Sequence, residues 1–194
     1  IYAARAKKPI TAFVDTTAAS AAYWLASQAS DIVVTPSGSV GSLGVFAMHL
    51  DHSRELEAAG VTPTFIQAGK YKTEANPLQP LADDARATIQ DRVDAFYSMF
   101  VHDVARGRGV PVATVRSEFG EGRMVLAKDA VKRGMADRIA PSLEHAVAPG
   151  AAGTIAAYSD ELDIDAVLEE ARLVLETAAA STPSGGRFTY VLLR

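Results

Sequence analysis

The chain has 194 residues, of which 48% are hydrophobic and 22% charged, a composition typical of a soluble globular domain with a sizeable core. A net charge of −4 indicates no broad basic surface for nucleic acid. The absence of cysteine excludes disulfides, a thiolate zinc site and a cysteine nucleophile. No apolar run approaches the roughly 18 residues needed to span a bilayer, and no signal peptide is recognisable. We therefore expect a soluble, intracellular protein. Because the sequence opens without Met, we also expect its upstream elements to be missing.

Short apolar runs alternate with helical stretches along the first 140 residues. Strands are predicted over residues 10–14, 31–35, 40–48, 63–67 and 136–140. Helices are predicted over residues 21–29, 53–59, 82–106, 111–119 and 127–133. This alternation predicts an α/β domain with a mostly parallel sheet and flanking helices. A polar loop over residues 68–80 interrupts the pattern, and so long a loop in a compact domain is usually functional or disordered.

The character of the chain changes after Ala140. Residues 149–153 resemble a linker, residues 160–180 predict an acidic amphipathic helix, and residues 187–194 form a strand-like tail. We therefore divide the chain into a principal domain over residues 1–140 and an appended segment over residues 141–194. The acidic helix and the tail either pack against their own domain or form an arm that pairs with a neighbouring molecule.

Ser20 is the first candidate for chemistry, because it stands where a predicted strand gives way to a predicted helix. A hydroxyl there lies near the free backbone N–H groups at the start of the helix, which favour a developing oxyanion. The small residues Ala18, Ala19, Ala21 and Ala22 on either side would allow another chain to approach closely. The alternative is that Ser20 only caps the helix, as serine often does.

Histidine is the usual base for a serine nucleophile. His49 and His52 flank Asp51, which raises the possibility of a triad with Ser20. However, the two histidines lie three residues apart at a strand-to-helix junction, where such side chains more often lie on the surface. The same group lacks a third well-spaced metal ligand, so no metal site is expected. His102 and His145 are both expected to be solvated.

Lysine is the other base available to a serine. A lysine accepts a proton at neutral pH only if burial lowers its pKa from about 10.4 to near 7–8. Lys70 and Lys72 both lie in the polar loop, where the ordinary expectation is solvation. Lys72 is the better candidate, because it lies deeper in the loop beside Thr73 and its stem can fold inward while Lys70 points outward.

Three motifs, met in order and at matching separations, resemble the signal peptide peptidase A family of serine peptidases, which includes phage head-maturation proteases. They are Ala18–Trp24, Val40–Val45 and Gly69–Lys72. The resemblance covers residues 1–140 and implies a crotonase/Clp-protease-like α/β fold. The motifs are those on which the family places its nucleophile, a lysine-orienting hydroxyl and its general base.

The resemblance assigns a role to each matching residue. It implies Ser20 as the nucleophile, Lys72 as the general base and Ser42 as a hydroxyl that orients the lysine amine. The backbone amides around Ser20 and Ala21 would supply one part of the oxyanion hole. The other part belongs to a Pro-Gly-Gly segment that should lie upstream of Ile1. No metal and no cofactor are implied.

In three features the sequence resembles the phage capsid branch more closely. Membrane-bound bacterial members carry Gly-Gly after the nucleophile, whereas this sequence has Ala21 and Ala22. The pairs Tyr23–Trp24 and Asn76–Pro77 also favour the capsid proteases. The predicted function is therefore a serine endopeptidase that cleaves capsid or scaffold proteins, located with the procapsid in the cytoplasm of a bacterial host. Membrane association of the full-length protein stays open. Family members form rings in which the serine and the lysine of one site can come from adjacent subunits.

Three alternative functions stay open at this point. One is a bacterial signal-peptide-peptidase-type protease that degrades peptides released from membranes. Another is an acyl-CoA hydratase-like or thioesterase-like enzyme of the same broad fold, which the lack of a carboxylate near Ser20 disfavours. The last is a non-catalytic capsid assembly or scaffold protein in which the acidic segment is an interaction arm.

Overall fold

The computed structural model describes residues 1–147 and 189–193. A 3₁₀ helix over Ala4–Ala6 precedes the first strand. The strands are β1 Ile10–Val14, β2 Thr17–Ala19, β3 Asp31–Val34, β4 Ser39–Gly41, β5 Met124–Leu126, β6 Arg138–Ile139 and β7 Thr189–Leu193. The helices are α1 Ala21–Ala26, α2 Ser53–Ala58, α3 Asp83–Arg108, α4 Val112–Glu118, α5 Ala127–Lys132 and α6 Leu143–Val147.

The larger sheet has the strand order β6-β3-β1-β7, and every pairing in it is parallel. Its two central strands are almost continuously apolar, and Val14, Ile32, Val33 and Val34 are completely buried. Such runs are typical of parallel strands that are covered on both faces. The predicted mixed α/β architecture with a mostly parallel sheet is therefore confirmed.

Clustering of backbone contacts divides the chain into two compact units. Among the described residues, unit 1 comprises 1–18, 29–40, 126–147 and 189–193, and unit 2 comprises 19–28 and 41–125. The second sheet has the strand order β2-β4-β5. Each unit is therefore built from segments that are not continuous in sequence.

Helix α6 was not predicted, and it lies beyond Ala140 within unit 1. Its Ala146 is buried in a cluster with Phe13, Val33 and Ala140. The Arg138 guanidinium donates hydrogen bonds to Asp31 Oδ2 at 2.8 Å and to the Ala146 carbonyl at 2.7 Å. Five residues are too short to show a helical period in sequence. Packing against the sheet, and not local propensity, therefore stabilises this helix.

Two predicted strands are wrong in whole or in part. Only the beginning of residues 40–48 forms a strand, and residues 63–67 form none. A strand requires a hydrogen-bonded neighbour, and an apolar sequence alone cannot supply one. The unpaired segments consequently expose large apolar side chains: Phe46 is 87% exposed, Met48 74% and Ile66 100%.

The appended segment is described only in part. The predicted linker at 149–153 and the acidic helix at 160–180 lie outside the described residues. The strand-like tail is confirmed as β7, which pairs with β1 of the same chain, with Ile10 opposite Thr189 and Val14 opposite Leu193. Within residues 1–147 and 189–193, no helix is both long enough and apolar enough to cross a membrane.

In unit 2, helix α1 packs closely against the C-terminal part of α3 at Gly107. A Cβ atom at this position would lie 2.1 Å from the Ser27 carbonyl oxygen and 2.8 Å from Gln28 Nε2. Real Cβ atoms do not approach backbone this closely, so the two helices meet only because residue 107 has no side chain. Helix α3 ends just beyond, at Gly109 in the left-handed conformation with φ 66°.

Gly107→Ala should therefore destabilise the protein by about 1–3 kcal/mol, the usual cost of overpacking. This sign is diagnostic, because alanine in an open helical position is more stable than glycine by about 1 kcal/mol. Gly44→Ala is the control, since its Cβ would meet only Gly122 Cα at 3.7 Å. Urea unfolding of both variants measures the difference. A stabilised Gly107→Ala would contradict the close packing.

Candidate active site

Ser20 occupies a strained turn between β2 and α1. Its backbone has φ 52° and ψ −120°, a region that non-glycine residues rarely adopt and that costs about 1–3 kcal/mol. The Ser20 amide donates a 2.8 Å hydrogen bond to the Gly41 carbonyl, and the Trp24 amide donates to the Ser20 carbonyl at 2.9 Å. These two bonds hold the turn and start the helix. A serine on a strained strand-to-helix turn is the arrangement by which hydrolases expose a nucleophile.

The side chain of Ser20 is exposed and makes no capping hydrogen bond. The alternative in which Ser20 only caps α1 is therefore wrong, because a cap requires the hydroxyl to accept from an amide of the first helical turn. Throughout the described residues, the hydroxyl has no hydrogen-bond partner. It is free to face an incoming group.

Fewer backbone amides near Ser20 are available to an oxyanion than the sequence predicts. Because the Ser20 amide is bonded to the Gly41 carbonyl, it cannot also serve an oxyanion, and the expectation that it contributes is wrong. The Ala21 amide stays as the candidate donor, at the first position of α1, where N–H groups have no helical acceptor. Ala21 is itself exposed, so no side chain covers this position.

Ser42 directly follows β4, the strand that contacts the Ser20 turn. The carbonyl of Gly41, which precedes it, accepts from the Ser20 amide, and the Ser42 amide donates to the Arg123 carbonyl at 3.0 Å. Ser42 also has a positive φ of 55°, so the backbone on both sides of this contact is strained. The structure thus brings the Ser20 and Ser42 segments together through the backbone.

Lys72 lies in a series of turns, with its amide donating to the Gly69 carbonyl at 3.2 Å. Its side chain is exposed. In the part of the chain that the structure describes, no hydrogen bond joins Lys72 to Ser20 or to Ser42. Lys70 differs, because its ammonium lies 4.8 Å from the centre of the Tyr71 ring. Among the described residues, the Lys70 ammonium therefore has an aromatic partner, whereas the Lys72 ammonium has none.

The histidine alternative has no geometric support. His49 Nε2 contacts the Asn76 carbonyl at 3.0 Å, and His52 Nδ1 contacts Glu55 at 3.1 Å. Asp51 accepts a 2.9 Å hydrogen bond from the Ser53 amide, and bonds from Ser53 hold the pKa of this carboxyl below its usual value. Among the described residues, none of these groups is bonded to Ser20.

Among the described residues, none of the remaining candidates for binding chemistry is bonded to Ser20. His102 is exposed, and His145 Nδ1 contacts the Ser142 hydroxyl at 2.9 Å. Over residues 1–147 no three metal-ligating side chains cluster. A cavity of about 690 Å³ lies between residues 45–51 and the first turns of α3, and neither Ser20 nor Lys72 lines it.

Behind the serine turn, Trp24 attaches α1 to α3. Its indole Nε1 donates to Asp103 Oδ2 at 2.9 Å, and its ring stacks on Phe100 at 4.5 Å with the planes 9° apart. Asp103 is in turn paired with Arg106 at 2.8 Å. Sequence reasoning used Trp24 only as part of a motif and missed Asp103. Its spacing of three from Phe100 on the predicted helix was the available signal.

In the described residues, the site thus consists of a serine with a strained backbone at a strand-to-helix turn, whose hydroxyl caps no helix, with the Ala21 amide beside it and no histidine bonded to it. The sequence matches peptidase family S49 over residues 3–149. The chain belongs to this family, and the resemblance to signal peptide peptidase A is confirmed.

Similar proteins include both phage and cellular members. The chain is 34% identical to the head-tail preconnector protein GP5 of Enterobacteria phage P21, over 72% of this chain and 27% of that protein. It is 35% identical to the capsid assembly protease C of Escherichia phage lambda, over 71% and 31%. It is 30% identical to the chloroplastic serine protease SPPA of Arabidopsis thaliana, over 68% and 20%. The chain therefore spans about a third or less of the length of these relatives.

The indole bond of Trp24 can be tested separately from its stacking. Trp24→Phe keeps an aromatic ring against Phe100 and removes the donor to Asp103, which keeps its partner Arg106. We expect a loss of about 1 kcal/mol in unfolding free energy, the usual net value of one hydrogen bond. Leu25→Ala, at an exposed position on the same helix, is the control. Equal stability of Trp24→Phe and the wild type would show that the bond is not stabilising.

Proposed function

We propose that the protein is a serine endopeptidase that uses a Ser20–Lys72 dyad. The observation that carries the proposal is the Ser20 turn, in which a strained backbone exposes a hydroxyl that caps nothing. Strain of this kind persists only where surrounding contacts enforce it, and it concentrates at active sites. Membership of peptidase family S49 supplies the class of reaction.

In the proposed reaction, uncharged Lys72 takes the proton from the Ser20 hydroxyl as the oxygen attacks the peptide carbonyl. The Ala21 amide donates to the resulting oxyanion, together with a second donor expected from the family's Pro-Gly-Gly segment. The lysine then gives its proton to the leaving amine, and an acyl-enzyme forms. Water, deprotonated by Lys72, attacks the ester, and Lys72 returns this proton to the Ser20 oxygen as the acid is released, which restores the hydroxyl and the uncharged lysine. Ser42 orients the lysine amine.

We further propose that the fold is of the crotonase/Clp-protease type and that copies of the chain assemble into a ring. A lysine base needs exclusion of water, and Lys72 is exposed in the single chain. A second copy placed against this face would cover the lysine and bring it to a serine. The exposed apolar side chains of Phe46 and Ile66 favour such an interface.

The substrates we propose are capsid or scaffold proteins, cleaved inside the procapsid in the host cytoplasm. Support comes from two phage relatives at 34% and 35% identity, one of which is called a capsid assembly protease. The second candidate is a signal-peptide-peptidase-type function, since the chain is also 30% identical to a chloroplastic serine protease called SPPA. Small residues on both sides of Ser20 favour small side chains at the cleavage site.

Removal of either dyad member should abolish reaction of Ser20 with a fluorophosphonate probe. We expect Ser20→Ala to show no labelling and Lys72→Ala to lose about 10²–10⁴-fold in labelling rate, the usual contribution of a general base. Lys70→Ala is the matched control, because Lys70 lies in the same loop and packs on Tyr71. Mass spectrometry of the full-length protein locates the modified residue. Undiminished labelling in Lys72→Ala would remove the dyad.

Mixing two inactive variants tests whether the site is shared between copies. In a ring where one copy supplies Ser20 and the next supplies Lys72, Ser20→Ala and Lys72→Ala restore each other in mixed assemblies. Random mixing in equal amounts should recover activity in about a quarter of the sites. Subunits are exchanged in mild denaturant before labelling, with each variant alone as the control. No recovery from demonstrably mixed assemblies would place both residues in one copy.

A further inference from the structure

The loop that carries Lys72 is held together by its own side chains. Over residues 67–80, here called the lysine loop, the chain forms neither helix nor strand. Gln67 donates to the Lys70 carbonyl and also accepts from the Thr73 hydroxyl. The Asn76 amide group donates to the Thr73 carbonyl at 2.7 Å, and its oxygen accepts from the Leu78 amide at 2.9 Å. These bonds fix the shape of the loop, but they do not fix its position.

Two hydrogen bonds reach the lysine loop from elsewhere in the part of the chain that the structure describes. His49 Nε2 bonds to the Asn76 carbonyl at 3.0 Å, and the His52 amide donates to the Pro77 carbonyl at 2.8 Å. Both come from the segment before α2, where the Asp51–Ser53 hydrogen bond fixes the turn. Only the bond from His49 involves a side chain, and His49 is half-buried.

The partner of His49 determines what the ring can do. A carbonyl oxygen only accepts, so Nε2 must carry the hydrogen. Neutral imidazole with its hydrogen on Nε2 and protonated imidazolium both satisfy this bond. His49 therefore holds the loop in either charge state, and this nitrogen cannot accept a proton from a serine. The geometry is that of a tether.

We propose that His49 is a positioning residue for Lys72, an inference that rests on the proposed function of Lys72 as the base. The connection has three steps. His49 fixes the Asn76 carbonyl, the Asn76 side chain fixes the Thr73 carbonyl, and Thr73 adjoins Lys72 in the chain. Through these bonds His49, which the sequence suggested as a possible base, instead determines the position of Lys72.

Four variants of the full-length protein separate the donor from the ring. His49→Gln keeps a donor at nearly the position of Nε2, whereas His49→Leu and His49→Phe remove it, and the phenyl ring preserves the volume. His52→Ala is the matched control, because that side chain bonds only to the exposed Glu55 and the backbone bond to Pro77 is kept. The readout is the concentration dependence of fluorophosphonate labelling at Ser20, which gives a maximal rate and a half-saturating concentration.

We expect His49→Leu and His49→Phe to lower the maximal rate about tenfold, as loss of one positioning hydrogen bond implies, with an unchanged half-saturating concentration. His49→Gln should recover to within about threefold of the wild type, and His52→Ala should match it. Thermal unfolding identifies any variant that has lost its fold, in which case the other donor-free variant decides.

The outcomes distinguish this inference from the proposal on which it rests. Wild-type protein that is never labelled at Ser20 overturns the dyad and the role of His49 with it. Labelled wild type with equal rates in folded His49→Leu and His49→Phe overturns the inference alone. A loss in His49→Gln as large as that in His49→Phe also overturns it, because the ring and not the donor would then matter.

Discussion

The hydrogen bond from the Ser20 amide to the Gly41 carbonyl is the interaction on which the site depends. It closes the turn between β2 and α1 at 2.8 Å and holds Ser20 at a positive φ that the residue would not adopt alone. The same bond places the Ser42 segment beside the turn and commits the Ser20 amide to a carbonyl acceptor. This one contact therefore explains why the Ser20 hydroxyl is exposed, why Ser42 lies beside the turn and why, within the described residues, the Ala21 amide, and not that of Ser20, is unbonded.

That contact is stabilised from behind by the packing of α1 on α3. Six residues make too short a helix to be stable alone. Trp24, one turn after Ser20, stacks on Phe100 and bonds to Asp103, while the missing side chain at Gly107 lets the backbones meet. The position of Ser20, the nucleophile we propose, therefore depends on an aromatic contact and on a glycine, both of them in α3.

Most of the fold was predictable where the sequence signal is local. The buried runs of β1 and β3 and the long helix α3 were predicted to within a few residues, because burial and periodicity show in the sequence itself. The failures share one cause. Whether residues 45–48 or 63–67 form strands depends on a neighbouring strand, and the formation of α6 depends on its packing in the cluster around Phe13. A short-range sequence pattern encodes neither of these contacts.

For the site, the sequence predicted residue types and could not predict how their hydrogen bonds are used. Ser20 and Lys72 were chosen by chemistry and resemblance, but whether the serine caps a helix depends on a backbone angle. The hydrogen bond of His49 could likewise not be predicted from the sequence, because its partner is a backbone carbonyl 27 residues away. Chemical plausibility selected several bases for one serine. The hydrogen bonds then distinguish them, since in the described residues His49 is bonded to the Asn76 carbonyl, whereas the ammonium of Lys72, the base we propose, has no partner.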